Sequence, residues 1–369
     1  MSHSSAAHTA RGSHLAVAAI IIALLVSLLP LSPAHGDGLD GTIAFVSDRA
    51  GVDEIYVMDA DGSRVTQLTN NPGFDRAPAW SPDGTTLVFN SRRDPHPERP
   101  QLYTVELADP TSVEQVSFSE TEDLRASWYP DGTAVVFQRG GLFDGPNLFR
   151  LDTASGATTQ LTDTPGRIDA AGAISPDGST LALQSNRNLE TGFFPFRLYL
   201  IDLETDEATA VATPPSDGSD AGSDDGPRWS PDGTQLVFAR SGNLRLYDVE
   251  SGETVRLTDG EEFDVAPSWS PDGSRLVFQS DRVDKDGGIH VYALETGEIS
   301  YIGEGRTPAW TATLRPSDPH VPRTPQTNDD CKRGGWRELS DASGDAFANQ
   351  GRCVSYVVAS HRSANRPPR

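Results

Sequence analysis

The chain has 369 residues, with 34 Gly, 27 Pro, two Cys and two Met, and a formal net charge of −23 at pH 7. So much Gly and Pro fits short strands joined by tight turns better than a helical bundle. The first 36 residues carry one positive charge and residues 312–369 a net +3, which places −27 on residues 37–311. A field that negative repels nucleic acid and anionic membranes and excludes both as partners.

The chain opens on a weakly basic head around Arg11, followed by a run from Leu15 to Leu31 that is apolar except for Ser27 and Pro30. Ala34 and Gly36 then supply small residues at the −3 and −1 positions of a cleavage site. Residues 1–36 read as a secretory signal peptide, which places the mature protein in the periplasm or outside the cell. The alternative is a retained membrane anchor, against which Pro30 and Pro33 argue by interrupting a spanning helix. No Cys follows the run to take a lipid, and no second apolar stretch is long enough to span a bilayer.

From Thr42 onward a unit repeats. Ser81-Pro82-Asp83-Gly84, Tyr129-Pro130-Asp131-Gly132, Ser175-Pro176-Asp177-Gly178, Ser230-Pro231-Asp232-Gly233 and Ser270-Pro271-Asp272-Gly273 share x-Pro-Asp-Gly, their prolines 48, 46, 55 and 40 residues apart. Pro fixes φ at the first turn position, Asp bonds back to the backbone and Gly accepts positive φ, so each copy predicts a hairpin turn. Before the turn lies a short strand ending in Trp80, Trp128, Trp229 or Trp269, with Ile174 in the third copy. After it come an apolar run (Leu87-Val88-Phe89 in the first copy), a second run (Leu102-Tyr103) and a fourth strand ending near Val116-Ser117. Four short strands with a 40–50-residue period predict a propeller blade. The first copy starts at its second strand, Thr42-Ile43-Ala44-Phe45, and the last stops at Pro308-Ala309-Trp310, so the two halves predict one split blade and a ring of six.

The run Pro78-Ala79-Trp80-Ser81-Pro82-Asp83-Gly84, followed by Leu87-Val88-Phe89, Ser91 and Arg93, resembles the repeat of the TolB-like (WD40-like PD40) propeller family. The resemblance covers residues 42–310, about three quarters of the chain. It implies an all-β, six-bladed propeller of four-stranded blades over residues 37–311. Domains of this kind serve as periplasmic interaction modules and as the propeller parts of peptidases, so the resemblance specifies a fold more closely than a function. The repeats begin almost at the predicted cleavage site, which implies that the family's separate N-terminal α/β domain is absent.

Residues 312–330 hold four prolines without apolar periodicity and read as a linker. Residues 331–369 form a small module containing both cysteines. In an exported chain this predicts a Cys331–Cys353 disulfide that staples a short C-terminal tail.

Chemical motifs are sparse. No Gly-x-Ser-x-Gly elbow and no His-Glu-x-x-His helix occur, and residues 37–311 contain only His96 and His290, too few for a three-ligand zinc site. Asp59-Ala60-Asp61-Gly62 and Asp284-Lys285-Asp286-Gly287 carry the core of a calcium loop but lack its remaining ligands, so hairpin turns are the simpler reading. Calcium stays a candidate ligand without an assigned metal site.

Two columns of charge repeat. Asp75, Asp123, Asp169, Asp224 and Asp264 lie five residues before each Trp-position residue, and Gly305 occupies that place in the split blade. If the Trp-ending strands are innermost, five carboxylates surround one mouth of the channel, where crowded like charge would attract a cation or a basic peptide. The competing reading has each Asp bond its own loop. Arg49, Arg93, Arg187 and Arg282 lie four residues beyond the second strand's apolar run, and Arg139 and Arg240 two beyond; these predict Arg–Asp pairs tying neighbouring elements. The expectation for the whole chain is a secreted, monomeric, non-catalytic scaffold that binds a protein or peptide, with a cation as a further candidate, at one face of the ring. The alternative is a carbohydrate-active or other hydrolytic propeller using carboxylates.

Overall fold

The computed structural model describes residues 40–313, except 94–97, 142–143, 188–193, 212–221 and 284–286. The predicted signal, linker and cysteine module, with Cys331 and Cys353, lie outside the described residues, as do His96 and Asp284–Asp286.

Three strands, β1 (Thr42–Ser47), β2 (Glu54–Asp59) and β3 (Thr66–Gln67), open blade 1. Blade 2 follows as β4–β7 (Asp75–Trp80, Thr86–Ser91, Gln101–Glu106, Asp109–Gln115) and blade 3 as β8–β11 (Asp123–Trp128, Ala134–Arg139, Asn147–Asp152, Thr158–Gln160). Blade 4 is β12–β15 (Asp169–Ile174, Thr180–Ser185, Arg197–Asp202, Ala208–Ala210) and blade 5 is β16–β19 (Asp224–Trp229, Gln235–Arg240, Asn243–Asp248, Thr254–Arg256). Blade 6 is β20–β23 (Val265–Trp269, Arg275–Ser280, Gly288–Ala293, Ile299–Glu304). The last strand, β24 (Arg306–Thr311), returns to blade 1 and pairs antiparallel with β1, Ile43 opposite Trp310 and Ala44 opposite Ala309. The six four-stranded sheets and the split blade are those the repeat predicts. The Trp-position strands β24, β4, β8, β12, β16 and β20 touch in a closed cycle and form the inner wall.

The core lies between blades. Six apolar clusters each span one blade junction: Phe45 and Ile43 meet Val277 and Ile289 between blades 1 and 6, and Val46 and Ile55 meet Leu87 and Phe89 between blades 1 and 2. The indole N–H groups stitch the same junctions. Trp80 donates to the Ala309 carbonyl (3.0 Å), Trp128 to Ala79 (3.2 Å), Trp229 to Ala173 (3.1 Å) and Trp269 to Arg228 (3.0 Å), each on the preceding inner strand. A donor-bearing aromatic therefore suits this position, because it packs and is hydrogen-bonded at once. Ile174 has no such donor, and at that junction the Ser127 hydroxyl instead donates to Gly172 on the next strand (2.9 Å).

The two ends of the ring differ. At one end the Pro-Asp-Gly turns tile against one another. A side chain added at Gly132, Gly178, Gly233 or Gly273 would contact the turn proline of the preceding blade, Pro82, Pro130, Pro176 or Pro231. In the split blade the Thr313 hydroxyl takes the missing turn's place, donating to the Asp83 carbonyl (2.9 Å) beside Gly84. The other end carries the loops that feed each inner strand and those joining second to third strands.

Candidate functional site

The five repeated aspartates stand where the inner strands leave this loop-bearing end, and they are 0–1% exposed. Each meets an arginine of its own blade. Arg93 Nη2 donates to Asp75 Oδ2 (2.6 Å), Arg187 Nη2 to Asp169 Oδ2 (3.0 Å) and Arg282 Nη2 to Asp264 Oδ2 (2.5 Å). Arg139 grips Asp123 with two bonds of 2.8 and 3.0 Å, and Arg240 grips Asp224 likewise, Nη2 to Oδ2 at 2.7 Å.

The register explains the two arginine spacings. Asp123 and Asp224 lie directly across the ladder from Arg139 and Arg240, whereas Asp75 and Asp169 lie across from Ser91 and Ser185. Where serine occupies the facing position, the arginine two residues later reaches back, its Nε donating to the serine hydroxyl (3.0 Å for Arg93, 3.2 Å for Arg187). The aspartate and arginine columns are thus each other's partners. The carboxylates are enclosed in their blades and neutralised there, so they do not present a free acidic ring to the channel. Gly305 departs for a steric reason: a Cβ there would come within 2.4 Å of the Phe45 ring. Arg49 instead lies over the Phe45 and Tyr56 rings and donates to the Glu304 carbonyl (3.0 Å).

Beside Asp75 is a second buried carboxylate, Glu54. It accepts the Asn71 amide and the Thr69 hydroxyl, both at 2.7 Å. Burial, offset by those bonds and reinforced by Asp75, pushes its pKa up. Both groups are fully buried, so they hold the 69–75 loop rather than facing solvent. His290 is buried, its Nδ1 3.2 Å from the Gly288 carbonyl and its ring against Phe278 and Tyr301; burial pushes its pKa down. Asp59 pairs with Arg64 and Asp61 accepts the Ser63 amide, which makes 59–62 a hairpin turn. Among the described residues no group of three His, Cys, Asp or Glu is arranged to hold a metal.

The channel wall holds what the repeat columns do not reveal. One residue in each inner strand is left-handed: Ala77, Arg125, Ala171, Gly226, Ala266 and Thr307, with φ between 44° and 61°. The ladder slips at each of these points, so every inner strand carries a bulge. Bulges re-aim neighbouring side chains, here along the channel. Arg125 of blade 3 reaches Asp225 of blade 5 at 3.0 Å, past blade 4. It can do so because β12 offers only Ala170, Ala171, Gly172 and Ala173 between its first and last residues. On the opposite wall Asp53 takes both Arg76 (2.5 Å) and Arg306. Aligning the inner strands by their Trp position shows the signal: the column after the aspartate reads Arg76, Leu124, Ala170, Asp225, Val265, Arg306 and does not repeat.

The loop-bearing end also gathers exposed apolar groups. Of nine large hydrophobic side chains exposed among the described residues, five lie in its loops: Val52, Phe118, Phe194, Phe263 and Val283. Phe118 is 78% exposed. The 194–196 segment divides: Phe196 is buried with Ile168 and Ala170, and Phe194 stands on it edge-on, open to solvent.

The TolB beta propeller domain family (PD40) matches residues 31–143 and 195–329, more than half of the chain. The chain belongs to this TolB propeller family. The TolB homolog of Chlorobium luteolum is 28% identical over 185 residues, which are 50% of this chain and 39% of that protein. The Tol-Pal system protein TolB of Geobacter metallireducens is 49% identical over 47 residues, 13% of this chain and 11% of that protein. This TolB-type propeller therefore spans well under two thirds of the curated relatives it matches. In three dimensions it is similar to TolB from Acinetobacter baumannii, with a TM-score of 0.61 and 22% identity, over 80% of this chain and 71% of that one. At that identity the likeness speaks for the fold alone.

Proposed function

We propose that the chain is an exported, non-catalytic scaffold that binds a protein or peptide on the loop-bearing end of its ring. One observation carries this reading: the long insertions in the repeat and most of the exposed apolar side chains gather at that end. In sequence the 93–100 and 190–196 insertions and the acidic stretch from Asp217 to Ser223 fall between strands that this end joins, and its described loops hold five exposed apolar side chains. The opposite end is tiled by near-identical turns. Exposed aromatics on a rigid frame are what a protein contact needs, and variable loops are where such contacts are built. The name of one relative, a Tol-Pal system protein, supports a role as one component of a multi-protein system. The net charge of −27 on residues 37–311 favours a basic partner.

In this reading Asp75, Asp123, Asp169, Asp224 and Asp264 hold the loops in place through their arginines. Each carboxylate accepts from an arginine, while Asp75 Oδ1 and Asp264 Oδ1 have no hydrogen-bond partner.

The test is affinity capture from an extracytoplasmic extract with three baits: the parent, a Phe118→Ser/Phe263→Ser variant, and a Val65→Ser/Val249→Ser variant altered away from that end. The first variant should lose the captured partner and the second retain it. Equal capture by all three would refute the assignment of the face.

A further inference from the structure

Of the inner-strand arginines, Arg76, Arg125 and Arg306 each pair with a carboxylate, and Arg228 has no ion pair among the described residues. The residue preceding the Trp position in each inner strand is small in five blades, Ala79, Ser127, Ala173, Ser268 and Ala309, and is Arg228 in blade 5. This position looks toward the next inner strand: the Ser127 hydroxyl reaches the Gly172 carbonyl, and Ser268 Oγ accepts the Trp310 amide (3.3 Å). Arg228 thus extends along a wall from which its equivalents leave space.

The guanidinium is poorly compensated. Arg228 is half-buried, and its Nη1 donates to the carbonyl of Pro227 on its own strand (2.9 Å). Among the described residues it forms no ion pair. Asp225, three residues earlier on the same strand, is held at 3.0 Å by Arg125. Burial pushes the Arg228 pKa down, and although Asp225 opposes this, Arg125 adds to it. Asp225, about half exposed, is already paired with Arg125, which leaves Arg228 without a carboxylate of its own. An uncompensated cation in such a place is stabilised by any anion that fits. The −27 carried by the ring does not prevent this, since fields from the outer surface are screened over about 8 Å at physiological ionic strength.

We propose that Arg228 is an anion-binding site inside the channel, taking one carboxylate or tetrahedral oxyanion. Arg125 supplies the second positive charge. Arginine suits this ligand class because its planar fork matches two oxygens at once. The site is independent of the docking face, because it needs no protein partner.

The experiment uses the full chain in low-chloride buffer, titrated calorimetrically with sulfate, with phosphate, and with the capped tripeptide N-acetyl-Gly-Asp-Gly-amide. The parent should bind one or more of these saturably at a single site. Its Tm should rise by about 3–5 °C at ten times Kd. Arg228→Ser, the residue blades 3 and 6 carry at this position, should fold and bind at least about tenfold more weakly. Arg125→Ser should weaken binding too, by freeing Asp225 to occupy Arg228. Binding of sulfate or phosphate with the tripeptide excluded identifies a free-oxyanion site, and binding of the tripeptide a site for a partner's acidic side chain. The proposal is overturned if none of the three binds saturably, or if Arg228→Ser binds as tightly as the parent.

Discussion

Replacing Glu54 by glutamine should stabilise the propeller at neutral pH. Glu54 and Asp75 are both fully buried at one blade junction, and Asp75 Oδ1 has no hydrogen-bond partner there. The pKa of Glu54 is raised, so the fold favours its neutral form. Its contribution to stability is therefore fully present below the ordinary carboxylate pKa and is lost as pH rises through the raised value. Glutamine is permanently neutral and never incurs that loss. Blade 2 supplies the template. Gln101, at the start of the equivalent strand, accepts the Ser119 amide (2.9 Å) and the Ser117 hydroxyl (3.4 Å) through one oxygen, and its Nε2 donates to the Thr121 carbonyl (2.7 Å). A glutamine at 54 can treat Asn71 and Thr69 in the same way and turn its new N–H toward the 73–75 backbone or the orphaned Asp75 oxygen. A hydrogen bond to a charged acceptor is worth about 1.5–3 kcal/mol, and losing the ionised oxygen from Thr69 takes back part of it, so a net gain of about 1–2 kcal/mol is expected. In a ring of this size that raises Tm by about 2–6 °C. Thermal unfolding of parent and Glu54→Gln at about pH 7 and about pH 4.5 is the assay; the advantage of the variant should shrink at the lower pH. A variant less stable than the parent at neutral pH, or an advantage that grows on acidification, would refute the reasoning.

Arg240→Met should cost about 3–5 kcal/mol by urea unfolding, since it strands Asp224 without its partner where both are 1% exposed. Arg139→Met should cost less, because Arg139 is 22% exposed and water can replace it. Thr307→Gly should stabilise by about 1 kcal/mol, because Thr307 is β-branched at φ 44° with a buried, unpartnered hydroxyl. Gly226→Ala should destabilise by a similar amount at the equivalent position. Truncation after Glu304 removes β24 and the carbonyl that Trp80 bonds, so cooperative unfolding of the ring should be lost; an unchanged thermal transition would contradict the clasp. Non-reducing peptide mapping should find Cys331 joined to Cys353, whereas a dimer band on a gel would show the bond to run between chains.

What could be read from the sequence follows from where the chemistry is local. Pro-Asp-Gly sets a turn within four residues, so the blade count and the split blade were legible, whereas the inner position of the Trp strands was only a premise until the ring contacts placed them there. The side-chain partnerships depend on the ladder. Asp75 and Arg93 are 18 residues apart and Asp123 and Arg139 are 16 apart, distances that mean little until the register sets Asp75 opposite Ser91. Each column was visible and the arginines read as partners of aspartates, but nothing in the spacing says whether the aspartates face a channel mouth or bond within their own blade. The bulges leave almost no trace: alanine at 77, 171 and 266 has no preference for positive φ, and only Gly226 hints at it. The crossing from Arg125 to Asp225 depends on four small residues in a third blade, a coincidence of three strands that no pairwise pattern contains.

The clasp also bears on how the chain is made. Thr42 donates through its hydroxyl to a carbonyl 271 positions later in the chain. As the polypeptide emerges from the ribosome, or threads a translocation pore, blades 2 to 6 can each complete their own four strands in turn. Blade 1 cannot. Its inner edge at β1 stays unpaired until β24 has appeared, so the first strand synthesised waits for the last. For that interval the nascent chain carries an open strand edge of the kind that invites association with other chains. Such a long-range closure is also slow to find. Closure of the ring thus waits on the emergence of residues 306–311, and a factor that shields β1 would have its effect during synthesis or transport rather than on the folded protein.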